Sequence, residues 1–202
     1  SSGAYVTILD NFSTGRLSNL SSVLDHPRLI IQESDVSQDL EIPLRSPSRT
    51  FGPFSHIAHL AAQTSVIASL NDPIADAQTN HLGMLRVLEF ARSQNTRRVV
   101  FSSSAAIYGD VPEQSMPVGE DFPPAPLSPY GVHKLSSESL CRMYSLTHSL
   151  PTSALRFFNI YGPRQDPKSP YSGVITVFAQ KALNGEQISI FGDGTQTRDF
   201  VF

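Results

Sequence analysis

The chain has 202 residues, 40% hydrophobic and 16% charged, enough to bury one sizeable core. Its 15 Lys+Arg against 18 Asp+Glu give a formal net charge of −3. The basic residues are scattered, with Arg97-Arg98 the one adjacent pair, expected at a helix end, which excludes a basic nucleic-acid surface, and no apolar run approaches the roughly 18 residues of a membrane span.

Tyr5-Val6-Thr7-Ile8-Leu9 reads as a buried strand ending at Asp10. The polar stretch from Asn11 to Ser22 predicts a loop leading to a short helix, and Arg28-Leu29-Ile30-Ile31 a second strand closing near Asp35. Pro43, Pro47 and Pro53 predict an irregular connection from Ser37 to Pro53. His56 to Leu60 is a third strand. Pro73 opens a long helix to about Ser93, with an apolar stripe of Ile74, Ala77, His81, Leu85 and Leu88. Arg98 to Ser102 is a fourth strand, followed by a proline-rich loop from Pro112 to Pro129. A helix runs from Tyr130 to about Thr147, with Ser128 as its cap and Pro129 at its first position. Cys141, the lone cysteine, is expected as a small buried residue on this helix. It excludes an internal disulfide framework and, with no signal peptide visible, points to a reducing, cytoplasmic setting. Thr152 to Phe157 is a fifth strand, Gly173 to Leu183 a helix and Gln187 to Phe191 a short strand.

Strands alternating with helices predict an α/β fold with a doubly wound, mostly parallel sheet. Ligands of such sheets sit at the carboxyl ends of the strands. Asp10, Asp35, Ala61, Ser104 and Asn159 all fall at or just beyond such ends.

The chemistry-bearing pattern is Ser102-Ser103-Ser104 at one strand end and, on the following helix, Tyr130 and Lys134 four residues apart. Residues at that spacing share a helix face. A neighbouring ammonium favours the phenolate, so the expectation is a phenol whose pKa falls toward working pH and which serves as an acid/base. An exposed tyrosine beside a solvated lysine has the same spacing. Asp10 at a strand tip suits either the ribose hydroxyls of a dinucleotide or an ordinary turn.

Phe101-Ser102-Ser103-Ser104-Ala105-Ala106-Ile107-Tyr108-Gly109 and Pro129-Tyr130-Gly131-Val132-His133-Lys134 resemble the extended short-chain dehydrogenase/reductase superfamily, and within it the nucleotide-sugar epimerases. Further matches are Leu9-Asp10-Asn11-Phe12-Ser13-Thr14-Gly15, His59-Leu60-Ala61-Ala62-Gln63, Asn80 with Gly83, Leu155-Arg156-Phe157-Phe158-Asn159 with Tyr161-Gly162-Pro163, and Arg198-Asp199-Phe200. The resemblance implies a Rossmann-type domain over residues 1–165 and the beginning of a nucleotide-sugar domain over 166–202. It implies NAD as cofactor, with Asp10 favouring it over NADP by repelling a 2′-phosphate, although Arg16 nearby dissents.

The cofactor-binding residues implied are Asp10, Asn11, Phe12, Ser13, Asp35, Val36, Leu60, Ala61, Ala62, Asn80, Ser102, Ser103, Tyr130, Lys134 and Phe157. Asp35 equally suits a helix cap. Catalysis falls to Tyr130 as base and acid, Lys134 as its activator and Ser104 on the sugar 4-hydroxyl, a role Ser103 could share. Substrate binding falls to Ser104, Phe158, Asn159, Val174, Ile175, Ile190, Phe191 and Arg198, though the two phenylalanines equally suit a core. No metal is expected.

The resemblance also implies a UDP-sugar 4-epimerase working through a 4-keto sugar. Ala105-Ala106 stand where a 4,6-dehydratase carries an acid pair. Tyr161-Gly162-Pro163-Arg164-Gln165-Asp166-Pro167 and Tyr171-Ser172-Gly173-Val174-Ile175 resemble epimerases that accept N-acetylated UDP-sugars, with Ser172 and Gly173 small enough for an acetamide, while UDP-glucose/galactose and UDP-glucuronate stay open. Asp10 lies too near Ser1 for a glycine-rich phosphate loop to precede it, so the expectation is the middle of a longer chain, a homodimer when full length. The rival expectations are a silent fragment or binding module, or a net reductase, dehydratase or decarboxylase.

Overall fold

A computed structural model describes residues 3–38, 40, 45–46, 49–50, 53–166, 173–190 and 192–202. The elements in chain order are β1 (Val6–Asp10), β2 (Leu29–Glu33), the two-residue strands β3 (Arg45–Ser46) and β4 (Arg49–Thr50), β5 (His56–His59), α1 (Val66–Asn71) and α2 (Pro73–Ala77). A wider i→i+5 turn over Gln78–Leu82 leads into α3 (Gly83–Ser93). After it come β6 (Arg98–Ser104), α4 (Pro129–Thr147), β7 (Thr152–Phe157), β8 (Asn159–Ile160), α5 (Val174–Leu183) and β9 (Phe200–Val201). The chain divides into two compact units, Ser1–Leu155 and Arg156–Phe202.

In the first unit β1 pairs parallel to β2, and β5 parallel to β6, with β7 on the other side of β6. This is the α/β class that the alternation predicts. The core lies where α3, β6 and α4 meet: Met84, Val87, Leu88 and Ala91 pack on Val99, Phe101, Cys141, Tyr144 and Leu150. A polar clasp holds the two helices over it. The Tyr144 hydroxyl donates to Glu89 (2.5 Å), and Glu89 pairs with Arg92 (2.7 Å).

Several expectations are corrected. The long helix spans its expected range, but its buried stripe is Asp76, Asn80, Gly83, Met84, Val87, Leu88 and Ala91, and Ile74 is exposed. Leu88 of the expected stripe is in the core and Leu85 packs against it, but two of the buried positions are polar and an apolar stripe read from the sequence does not reach them. The short strand over Gln187 to Phe191 is absent from described residues 187–190, and Phe191 lies outside the described residues. Alternation alone makes no strand without a hydrogen-bonded partner. In the second unit it is β8 and β9 that pair, Asn159 against Phe200. In the stretch from Ser37 to Pro53, expected to be irregular, β3 and β4 pair antiparallel. Arg98 opens β6 rather than ending a helix. Helix α1, not foreseen, starts at Ser65, whose hydroxyl accepts from the Ala68 N–H (3.0 Å).

The proline-rich loop returns onto the end of β6, where the Ala125 N–H donates to the Ile107 carbonyl (3.0 Å). Gly109 makes this approach with φ of +65°, and a Cβ there would lie 2.0 Å from the Ala125 carbonyl oxygen. Gly109→Ala is therefore expected to cost at least about 2 kcal/mol. A urea melt of the variant within experimental error of the parent would refute this account of the loop.

Candidate active site

Ser128 caps α4 through its hydroxyl, which accepts from the Gly131 N–H (3.1 Å), with Pro129 in the first turn. Gly131 lets the helix start sit on the turn after β6, since a Cβ there would lie 2.7 Å from the Ala106 carbonyl oxygen. That contact brings Tyr130 to the strand end, near enough to Ser104 for the serine to lower the proton affinity of the phenol. One turn further along α4, the Lys134 ammonium donates to the Ser102 carbonyl (2.8 Å) and lies 4.9 Å from the centroid of the Phe101 ring and 5.6 Å from that of Tyr130. The exposed-pair reading fails: Lys134 is 2% exposed and Tyr130 9%.

Strand alternation sorts the three hydroxyls. Ser104 faces Tyr130. Ser103, on the opposite face, is buried and donates to Glu138 (2.5 Å), and Ser102 donates to the His59 carbonyl (3.2 Å). The structure thus gives Ser104, and not Ser103, to the tyrosine.

The electrostatics differ from the expectation. Burial raises the Tyr130 phenol above its ordinary value, opposed by the hydrogen bond with Ser104, and the Asp76 charge raises it further. The phenol therefore does not fall through Lys134 in this environment. Burial lowers Lys134 to about 8, with Asp76 pulling it back up. His59, buried and stacked on Phe101 with centroids 5.9 Å apart, is lowered to about 4, first by burial and then by the Lys134 charge.

Behind the pair lies a buried network that sequence reasoning missed. Asp76 accepts from Gln63 (2.7 Å) and Asn80 (2.8 Å) on one oxygen and meets His133 Nδ1 (2.5 Å) with the other. The Asn80 amide nitrogen also donates to the Gln63 carbonyl (2.9 Å), and the Asn80 backbone carbonyl accepts from Ser137 (2.9 Å). The Asn80 side-chain oxygen is a buried acceptor with no hydrogen-bond partner. Gln63 and His133 stood inside quoted motifs, but a buried carboxylate on an otherwise amphipathic helix leaves no local signal.

A second cluster forms at the ends of β1 and β2. Asp10 accepts from the Phe12 N–H (2.8 Å), with Phe12 at φ of +51°. Asn11 donates to Asp35 (2.9 Å), and the Ser13 hydroxyl donates to Asn11 (2.7 Å). The Asn11 and Ser37 hydrogen bonds hold the Asp35 carboxyl below its usual range. A Cβ at Gly15 would lie 2.6 Å from an Asp10 carboxylate oxygen, so the glycine leaves that face of the carboxylate uncovered. Val36 packs on Gly83, at 3.1 Å from where a Cβ would stand, and borders the core. Leu60 and Ala61 follow β5 exposed, and Ala62 is half-buried.

In the second unit Asn159 donates its side-chain amide to the Asp199 carbonyl (3.0 Å), and Arg198 donates to the Thr197 carbonyl (2.8 Å). Phe157, Phe158, Val174 and Ile190 are exposed. A cavity of about 370 Å³ in this unit is lined by Ile175 together with Tyr161, Gln165, Thr176 and Leu183, and contains none of the hydroxyl, phenol or lysine groups above. Tyr171 and Ser172 lie outside the described residues.

Residues 3–202 match the NAD dependent epimerase/dehydratase family. The chain is 39% identical to a UDP-glucose 4-epimerase of Mycolicibacterium smegmatis, covering 99% of this chain and 62% of that protein. Among solved structures, the UDP-N-acetylglucosamine 4-epimerase from Methanobrevibacter ruminantium in complex with UDP-N-acetylmuramic acid superposes with a TM-score of 0.86 at 38% identity, over 98% of this chain and 61% of that one. The UDP-glucose 4-epimerase from Thermotoga maritima with UDP-glucose gives 0.85 at 35%, over 98% and 62%. The chain thus spans about three fifths of the length of the relatives it matches.

Folding lowers Lys134 to about 8, so the unfolded chain holds that proton more tightly. The group opposes folding at neutral pH, on the order of 3 kcal/mol, and the opposition fades as pH rises from about 8 toward the ordinary lysine value. Lys134→Met removes this opposition but leaves the Ser102 carbonyl unpaired and the buried Asp76 without its opposite charge, so the stability it loses relative to the parent is expected to be smaller at pH 7 than at pH 10. Thermal denaturation showing a loss as large at pH 7 as at pH 10 would contradict this assignment.

Proposed function

The chain belongs to the NAD dependent epimerase/dehydratase family, and from that premise we propose that it carries the acid/base centre of an NAD-dependent 4-epimerase acting on a UDP-sugar. The observation that carries the reading is a buried Tyr130 beside Ser104, with the buried Lys134 ammonium 5.6 Å from its ring and anchored on the Ser102 carbonyl. The named activities of the similar proteins support the reaction class. Ala105-Ala106 after the hydroxyl cluster leave a dehydration without its acid pair.

The residues present fit a dinucleotide. Asp10 offers a carboxylate uncovered by Gly15, and Asn80 offers a buried acceptor that needs a donor. Asp10 with Asn11 would hold the adenosine ribose, flanked by Phe12, Ser13, Asp35 and Val36, and its charge disfavours a 2′-phosphate. The Leu60-Ala61-Ala62 segment, exposed at its first two residues, would lie along the cofactor diphosphate, and Lys134 would serve the nicotinamide ribose. Bound NAD would supply a reversible hydride acceptor, so the overall reaction has no net redox change.

The chain's own groups move the proton. Tyr130 removes it from the sugar 4-hydroxyl and returns it after the 4-keto sugar has presented its other face. Ser104 bonds the same oxygen and, by bonding the phenol, lowers its proton affinity against burial. The Lys134 charge favours the phenolate while it lasts, below about 8.

The domain reading is retained as residues 1–165 for the cofactor and 166–202 for the beginning of the nucleotide-sugar side, with Phe158, Asn159, Val174, Ile175, Ile190, Phe191 and Arg198 contacting substrate. The guanidinium of Arg198 suits a diphosphate. Exposed Ile74, Leu82, Val132, Met143 and Leu146 on the long helix and α4 support a homodimer through those helices. No helix among the described residues is long and apolar enough to cross a membrane. The buried free thiol of Cys141 suits the cytoplasm.

In the intact protein Tyr130→Phe is expected to lower UDP-sugar epimerisation by roughly a hundred- to ten-thousand-fold while NAD, followed by isothermal titration, still binds in preference to NADP. Unchanged turnover in that variant would end the epimerase reading. Absence of NAD binding to the parent would favour a silent module.

A further inference from the structure

We propose that Asp76 is a positioning residue for the tyrosine–lysine pair, its buried carboxylate joining three segments around the site and placing a fixed negative charge against both groups. The proposal rests on reading Tyr130 and Lys134 as the acid/base pair.

Asp76 is the one buried carboxylate among the described residues, at 1% exposure, and Lys134 the one buried lysine. Its partners come from different parts of the chain. Gln63 follows β5, Asn80 lies in the i→i+5 turn, and His133 stands on α4 between Tyr130 and Lys134. Gln63 is itself fixed, donating to the Ser65 carbonyl (2.9 Å) and accepting from the Ser65 N–H. The carboxylate thus sets where α4 lies relative to the segment after β5. Hydrogen bonds alone would not need a charge, and burying one is unfavourable unless it is compensated.

The groups facing the pair leave Asp76 as the compensating charge. Lys134 lies against the Tyr130 ring on its own helix and donates to the Ser102 carbonyl on β6, while the Asp76 charge on α2 raises its proton affinity and its own charge lowers that of His59 on β5. His59 stays neutral, and of the carboxylates it is Asp76 whose charge acts on Lys134. His81, lowered by burial and then by His133, pairs with Ser136 (2.8 Å) on the far side of His133. Asp76 raises the proton affinity of both Tyr130 and Lys134. It keeps the lysine charged near neutral pH at the expense of a more tightly held phenol proton.

The test is Asp76→Asn in the intact protein, with selectively labelled lysine and tyrosine followed by NMR titration in the absence of cofactor and substrate. The Lys134 titration is expected to fall by about one pH unit below that of the parent, and Tyr130 to fall as well, carrying the acid limb of the activity profile to lower pH. A merely structural aspartate would loosen the fold on replacement and let Lys134 rise toward the ordinary lysine value. A rise, or no change, overturns the proposal. Asp76→Glu keeps the charge and should hold the lysine titration near the parent's and retain turnover. A fall in that variant overturns the proposal even if Asp76→Asn does not fold. An inactive parent overturns the epimerase reading whatever the titrations show, whereas an unshifted lysine in an active enzyme overturns the Asp76 assignment alone.

Discussion

The burial of the Lys134 ammonium is the constraint around which the first unit is arranged. A lysine almost free of solvent must find its compensation in fixed protein groups. Here these are the Ser102 carbonyl, the faces of the Phe101 and Tyr130 rings, and the Asp76 charge. They come from three elements, β6, α4 and α2, and each depends on the others being in register. The strand must run as far as Ser104 for its carbonyl row to reach α4. The Ala106 turn must accept Gly131 without a side chain, and Ser128 must start the helix so that positions 130 and 134 point the same way.

The wider turn at Gln78–Leu82 belongs to the same arrangement. An i→i+5 turn loosens the regular carbonyl ladder of a helix, and such turns recur at functional sites. In this chain it lies where the Asn80 carbonyl accepts from Ser137 of α4 while the Asn80 amide joins Gln63 to Asp76. The side-chain oxygen of Asn80 is then left facing the interior without a donor. An unpaired buried acceptor is costly, and its persistence next to the site fits a place that a bound hydroxyl or a water completes.

The strands, the capped tyrosine helix and the triad Ser104, Tyr130 and Lys134 were legible because their signals are local. Ser128-Pro129 marks a helix start, four residues separate phenol from amine, and Arg98 to Phe101 reads as strand. The grouping of Asp10, Asn11 and Asp35 was legible for a similar reason, since the two aspartates stand at or just past the ends of strands that pair in register. Asp76 was not, because its burial depends on Gln63, thirteen residues before it, and on His133, fifty-seven after it. The apolar stripe of the long helix was legible only at Leu85 and Leu88, for the same reason, as its buried face begins with two polar residues. The strand expected near Ile188 failed because pairing is non-local, and in the second unit β9 at Phe200–Val201 is the strand that pairs with β8.

The phenol and the amine respond to burial in opposite directions, and that opposition limits how the pair works. Loss of solvent disfavours the charged form of each, so the tyrosine holds its proton more tightly and the lysine gives its proton up more readily. As pH rises, the lysine discharges first, near 8, and with it goes the charge that favours a phenolate. Burial alone would therefore silence the pair before the tyrosine ionised. The hydrogen bond from Ser104 acts on the phenol and the Asp76 charge acts on the lysine, each against the direction of burial. The negative charge also raises the phenol, so Asp76 cannot by itself make Tyr130 a base.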